Sequence, residues 1–382
     1  MTKINRTILF FFGVVFISLF AFRTQDVNAS EQTIELSPKS RFDAYAEQNL
    51  ENAIKLFVED LQIDNASERK TTDDVILLKP HIIYHVEKEQ DAIYYYPAYD
   101  KDSGQIIFVM PVIQIENDLY YEVKGCRNSA YNIICQNYDE YIFYLIGNRV
   151  YAENTQHIID FNSGKEIYFN DFELSEDEST FVYRSYEEKK RLVQSKTEEM
   201  TPVMRNNKPQ VLDSRRYKTS ISLYQPQGQY GYDMCWASAV ATVVNQLNHP
   251  STPVLGFDVC NHVGVGYNEG GTVYDEQDGL WYYNLDYAIH ATCLGWSDIV
   301  SNISNGKPFI INVYSSHYYL AHAVVGRGYS GSGSNKSVLV WDSNLSSGSG
   351  DYTTFLYSAG GFSFNGVFCY WESTLSYNVE DE

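Results

Sequence analysis

A cysteine, a histidine and an aspartate in the second half of the chain have the residue types and settings of a nucleophile, a base and an orienting group. Cys235 opens a run in which Trp236, Val240, Val243, Val244 and Leu247 recur at spacings of three and four. That pattern predicts a helix with one apolar face. Alanines at 237, 239 and 241 favour it. A Gly-containing turn precedes the run, with Asp233 as the expected N-cap. Cys235 then lies on the first helical turn, where unpaired backbone N–H groups favour an anion, and a thiolate is an anion. Thiol pKa values at such places fall to roughly 3.5–7.5 beside a cation. The competing reading is a small buried hydrophobe.

Five histidines follow Cys235, at 249, 262, 290, 317 and 322, and His322 has the setting of a base. Phe309–Tyr314 reads as a strand after the turn Asn305–Pro308, and His322–Tyr329 as a second. Ser330–Ser337 is a Gly/Ser loop, and Val338–Asp342 a third strand. With the hairpin centred near Ser332, His322 is expected to face Asp342. Alternation puts His322, Val324, Val338, Val340 and Asp342 on one face, and Ala323, Val325, Leu339 and Trp341 on the other. A carboxylate beside the imidazole would orient the ring and favour its protonated form. The bland alternative is a core histidine plus a strand-end aspartate.

The elements that must position these groups occupy a chain of 382 residues with net charge −21. Such acidity disfavours binding of nucleic acid or anionic membranes. Lys3 and Arg6 precede the apolar run Ile8–Phe22, and Val27–Ala29 offers small residues for cleavage, so residues 1–29 read as a signal peptide. The expected product is secreted and has no stable membrane anchor. Six cysteines are too few for a disulfide framework. Cys126 and Cys135 could bridge a hairpin, while pairing among Cys235, Cys260, Cys293 and Cys369 stays open. No CxxC or HExxH occurs, and neither a metal nor a cofactor is expected.

Phe42–Leu61 reads as an amphipathic helix. Short runs rich in Ile, Val, Tyr and Phe follow: Val75–Val86, Ile93–Tyr99, Ile106–Ile115, Leu119–Val123, Tyr141–Ile146 and Val150–Ala152. They predict an antiparallel sheet domain over 30–172, in which His81 and His85 share one strand face in a structural or solvated role. Residues 173–216 read as a charged linker, helical or flexible, ending at the basic pair Arg215-Arg216. Charged residues number 55 of 187 over 30–216 but 18 of 166 over 217–382, which argues for separate domains with a boundary between them. The 217–382 segment is long enough for its own core.

Gln229, Cys235-Trp236-Ala237, Leu320-Ala-His322-Ala-Val-Val-Gly-Arg-Gly328 and Val338-Leu-Val-Trp-Asp342 together resemble the papain-like cysteine peptidases over roughly 222–377. The order of signal, pro-region and short catalytic domain is most similar to the staphopain branch. The resemblance implies an α+β architecture: a catalytic domain of a helical half and an antiparallel β half, behind a β-rich pro-domain. It implies Cys235 as nucleophile, His322 as general base and acid, Gln229 as oxyanion donor and Asp342 as the orienting group. Trp236, Gly270 and Gly271 are similar to residues along that family's substrate groove; a plain turn at Asn268–Gly271 is the other reading. Proteins or peptides would be the substrates, and the pro-domain an intramolecular inhibitor removed by a cut between Lys208 and Leu223. The chain departs from the family at three places. Asp342 replaces an Asn, Tyr232 replaces a cysteine, and Trp341 precedes Asp342 where the family often has a shielding Trp just after. A transglutaminase-like acyltransferase uses the same Cys-His-Asp arrangement, and a secreted binding protein could keep the fold without the chemistry.

Overall fold

A computed structural model describes residues 38–58, 71–87, 91–125, 134, 140–199 and 218–377, apart from 117, 148, 162–163, 170–173, 317–318, 332–335 and 345–350. The expected signal segment, Cys126, Cys135 and the Arg215-Arg216 pair lie outside the described residues.

The described residues start with helix α1 (Pro38–Leu56), which begins four residues earlier than the periodicity places it. Its apolar stripe, Phe42, Ala46, Ala53 and Leu56, is buried and packs on the strands that follow. These are β1 (Val75–Leu77), β2 (Ile83–His85), β3 (Ile93–Asp100), β4 (Gln105–Ile115), β5 (Asp118–Gly125), β6 (Ile142–Ile146), β7 (Arg149–Glu153) and β8 (Ile158–Asp160). The expected single antiparallel sheet divides in two. β1, β3, β4 and β5 join one sheet, and β2, β6, β7 and β8 form another in which β2 runs parallel to β6. The run Val75–Val86 is therefore broken between two sheets. His81 sits outside β2, on an isolated bridge to Tyr95, so it does not share a strand with His85. Its ring lies between Tyr95 and Phe143, a structural role.

The segment after 173 folds as α2 (Glu176–Val182) and α3 (Tyr186–Glu199). Ser175 and Glu178 form a capping box at the start of α2. Lys189 of α3 is buried with Glu153 of β7, their Nζ and Oε2 2.8 Å apart. This part of the expected linker is thus fastened to the β-rich region.

The second half begins with β9 (Lys218–Ser220) and the helices α4 (Cys235–Asn248), α5 (Gly256–Val263) and α6 (Val273–Tyr282). Strand β10 (Tyr287–His290) and helix α7 (Trp296–Ser304) follow. Then come β11 (Phe309–Ser315), β12 (Leu320–Ser330), β13 (Ser337–Asp342), β14 (Asp351–Leu356), β15 (Gly361–Phe364) and β16 (Val367–Tyr377). The architecture is α+β, with a helical part carrying Cys235 and an antiparallel part carrying His322. The larger sheet runs β1-β3-β4-β5-β14-β13-β12-β11-β16-β10, with β15 on β16 and β9 on β12. Strand β5 pairs with β14, Glu122 against Phe355 and Lys124 against Thr353, so the sheet continues from the first half of the chain into the second.

Candidate functional site

Helix α4 is what its periodicity predicts. Trp236, Ala237, Val240, Val243 and Val244 are buried, and Cys235 is the first helical residue and half-buried. The cap differs. Met234 is the N-cap, without a side-chain hydrogen bond, so Asp233 does not play that part. The orphan N–H groups of the first turn therefore lack a side-chain acceptor at the cap, which leaves them for an anion at the cysteine.

His322 is delivered by β12, where it pairs with Val313 of β11. The hairpin register differs from the expected one by two residues. Ser330 pairs with Ser337, so the loop is centred beyond Ser332, and a bulge at Arg327 adds a residue to β12. Val325 faces Trp341, which puts Asp342 one step on, beside Val324 rather than opposite His322. A shift of two leaves every side chain on its face. Asp342 thus still reaches the ring, its Oδ1 2.7 Å from His322 Nε2. Cys235 stands on the same imidazole, close enough for its charge and hydrogen bonding to raise the ring pKa. Asp342 Oδ1 also accepts the Asn344 backbone N–H at 2.9 Å.

The electrostatics follow from this geometry. Burial alone would depress the His322 pKa. The charge and hydrogen bond of Asp342, joined by those of Cys235, outweigh it and push the ring up to about 10. Burial would raise the Asp342 carboxyl, but His322, Lys124 and the Asn344 N–H together hold it below the ordinary carboxylate range.

Gln229 is buried beside these groups. Its backbone N–H donates to Ser343 O at 3.1 Å, its Nε2 donates to Asn344 Oδ1 at 3.1 Å, and its Oε1 accepts from Ser343 Oγ at 3.3 Å. The residues following Asp342 thus tie the loop before α4 to the end of β13. Gln229, Cys235, Trp236, Gly270, Gly271 and His322 all line one cleft of about 1360 Å³. Trp236 is 2% exposed and forms its floor. Gly271 rests on that indole: a Cβ there would stand 2.4 Å from Trp236 Cδ2. Gly270 is exposed, and a Cβ there would meet nothing within 4 Å. A Thr272–Asp275 capping box starts α6 just after the two glycines.

Two groups in the site escape sequence reasoning. Phe364 of β15 lies flat on His322, with ring centroids 3.9 Å apart and planes at 11°. It covers one face of the imidazole, while Trp341 packs on Tyr352. A Phe in a β-rich stretch carries no signal of such a role. Part of the cleft wall also comes from the first half, through Arg149, Asp160, Lys165, Glu166 and Ile167. Arg149 Nη2 donates to Gly231 O at 2.9 Å, in the loop just before the cysteine helix.

Comparison with known families matches residues 222–365 to the Peptidase_C39 like family. The matched span contains Gln229, Cys235, His322 and Asp342, and it supports a cysteine peptidase-like domain. No curated protein matches the chain.

Proposed function

We propose that the chain is a secreted, papain-like cysteine endopeptidase made as a zymogen, similar in its order of segments to the staphopain branch. The observation that carries this is His322 held between Asp342 and Cys235, with Cys235 at the start of a buried helix. In this reading the Cys235 thiolate attacks the scissile carbonyl carbon, and the carbonyl electrons move to oxygen. Gln229 Nε2 and the N–H groups of the first helical turn stabilise that oxyanion. Imidazolium His322 gives its proton to the leaving amine, leaving an acyl-enzyme. Neutral His322 then takes a proton from water, the water oxygen attacks the thioester, and the thiolate departs. Asp342 keeps the ring oriented throughout.

Latency is supported by Arg149, Asp160, Lys165 and Ile167, first-half residues that line the cleft a substrate chain would enter. A cut between Lys208 and Leu223, with Arg215-Arg216 the leading site, would relieve that cover. The substrates are protein or peptide chains; nucleic acid and a membrane anchor have no part, and the first half acts as intramolecular inhibitor.

The test compares wild type with Cys235→Ala. The cut wild-type protein is expected to cleave casein and to take up a thiol-directed epoxide at Cys235, and the variant to do neither. Casein cleavage by Cys235→Ala would end the assignment. A full-length chain as active as the cut one would end the zymogen reading alone. The Asp342 carboxylate also suits transglutaminase-like acyl transfer, so the same protein is offered a glutamine donor and an amine. Amine incorporation without peptide cleavage would favour that alternative.

A further inference from the structure

Strand β15 is the link between the candidate triad and the first half of the chain. Its residue Phe364 covers the His322 ring. The residue before it, Ser363, is fully buried and held on three sides by β5. Its N–H donates to Glu122 Oε1 at 2.6 Å, its Oγ donates to Glu122 Oε2 at 2.7 Å, and its carbonyl accepts from Lys124 Nζ. Glu122 is 2% exposed, and Lys124 stands 3.4 Å from it. A buried carboxylate aimed at one backbone N–H and one hydroxyl is a costly device unless it fixes something. The next turn is clamped from the same side. A Cβ on Gly366 would fall 2.8 Å from His85 Nε2 and 2.9 Å from Ile83 Cβ, and the Phe368 N–H donates to Asp91 Oδ2 at 2.9 Å. Phe368 itself is packed in an apolar cluster with Ile83, Tyr95, Ile113 and Phe143.

We infer that β5 is a working part of the site: Glu122 and Lys124 are positioning residues that hold Ser363, and through it Phe364, against His322. The inference rests on the reading of Cys235 and His322 as the reacting pair. It changes what the first half is for. That half covers the cleft from the β6–β8 side, yet it also supplies the support of the histidine from the β5 side. After a cut in the linker the first half would therefore stay attached through the β5–β14 pairing, and the enzyme would work as two associated chains.

The mechanism by which Phe364 matters is dielectric. A close aromatic lid keeps water from the His322–Asp342 pair and so keeps their attraction strong. If the lid loosens, both the burial penalty and the charge attraction weaken, and the ring relaxes toward an ordinary histidine. The charged and titratable groups around the ring are Asp342 and Cys235, with Lys124 acting on Asp342; those around Glu122 are Lys124, Tyr95 and Cys369, with Asp91 acting on the last two.

The experiment uses the intact chain and measures alkylation of Cys235 against pH by iodoacetate, an anion whose reaction the His322 imidazolium assists, with melting temperature as a control. Glu122→Ala is expected to move the alkaline limb down by about one pH unit, as the loosened lid weakens the His322–Asp342 attraction. Phe364→Leu should shift it in the same direction, and the double variant should shift it no further. Glu122→Gln retains an acceptor for the Ser363 N–H and should restore most of the wild-type profile. If Glu122→Ala does not fold, Ser363→Ala takes its place. A wild-type limb in these folded variants overturns the inference, whatever their melting temperatures. A second arm cuts the chain at a site engineered within 201–217 and follows it by gel filtration. Co-elution of the two pieces with peptidase activity is expected, and an active second piece eluting alone overturns the inference. Failure of wild-type Cys235 to alkylate selectively would instead sink the peptidase reading, and this inference with it.

Discussion

Asp342 reaches His322 diagonally across the β12–β13 hairpin, its Oδ1 2.7 Å from the ring Nε2, although the ladder sets it beside Val324. Diagonal neighbours on one face of an antiparallel pair lie within reach of long side chains. The bulge at Arg327 and the position of the loop therefore change the partner in the ladder without breaking the contact.

That contact predicts a pH profile. Imidazolium His322 is the form that pairs with a Cys235 thiolate, and its pKa of about 10 places the alkaline limb of kcat/KM there. Asp342→Ala leaves burial to act without its counterweight, so the limb should move to lower pH and the rate should fall. Asp342→Asn keeps an acceptor but loses the charge, and should lie between the two. Three superimposable profiles would show that another group orients the ring.

Gln229→Ala should lower kcat by roughly 10²–10³, the usual effect of removing one oxyanion donor, while Cys235 still takes up an epoxide. The buried amide is already held by Asn344 and Ser343, which fixes its direction and limits what a replacement can imitate. Retained kcat in Gln229→Ala would make this side chain a strut between the cysteine loop and β13.

The two glycines of the cleft should behave differently. Gly271→Ala drives a methyl into the Trp236 indole beside Cys235, and overpacking of this kind costs about 1–3 kcal/mol. It should also lower activity, since Trp236 cannot shift without moving the start of α4. Gly270→Ala meets open space and should stay within about 0.5 kcal/mol of wild type. Urea denaturation measures both, and equal losses would mean that the Gly271–Trp236 contact is not what constrains the turn.

Much of the site is legible in the sequence because it is written in local patterns. The 3.6-residue periodicity after Cys235 fixes that residue on a helix start, and the alternation from His322 to Asp342 fixes two side chains on one sheet face. The register, by contrast, depends on where a Gly/Ser loop turns and on a bulge, neither of which the pattern specifies. Phe364 meets a ring on a different strand 42 positions earlier, the β5–β14 pairing joins residues more than two hundred positions apart, and strand composition does not say which edges meet. The Val75–Val86 run fails for the same reason: one β-prone stretch supplies strands to two sheets, and only tertiary packing decides where it divides.

Glu276 offers a stability test independent of activity. It is buried on α6 and accepts a 2.8 Å hydrogen bond from Asn312 Nδ2, whose strand position adjoins Ala323 and whose side chain lines the cleft. Burial raises its pKa to about 8; the Asn312 bond opposes the rise and Asp275 adds to it. A folded-state pKa above the unfolded value means that the native protein holds a proton the unfolded chain has released. Stability from this group is therefore complete below about pH 4.5 and is lost as pH rises to about 8. The slope over that interval is at most roughly 1.4 kcal/mol per pH unit. Glu276→Gln keeps an acceptor for Asn312 and has no proton to lose, so it should match wild type in acid and exceed it in stability above pH 8. Urea unfolding of both proteins from pH 5 to 9 decides the matter, and parallel curves across that range would mean that Glu276 ionises in place, with the cleft or water supplying the missing solvation.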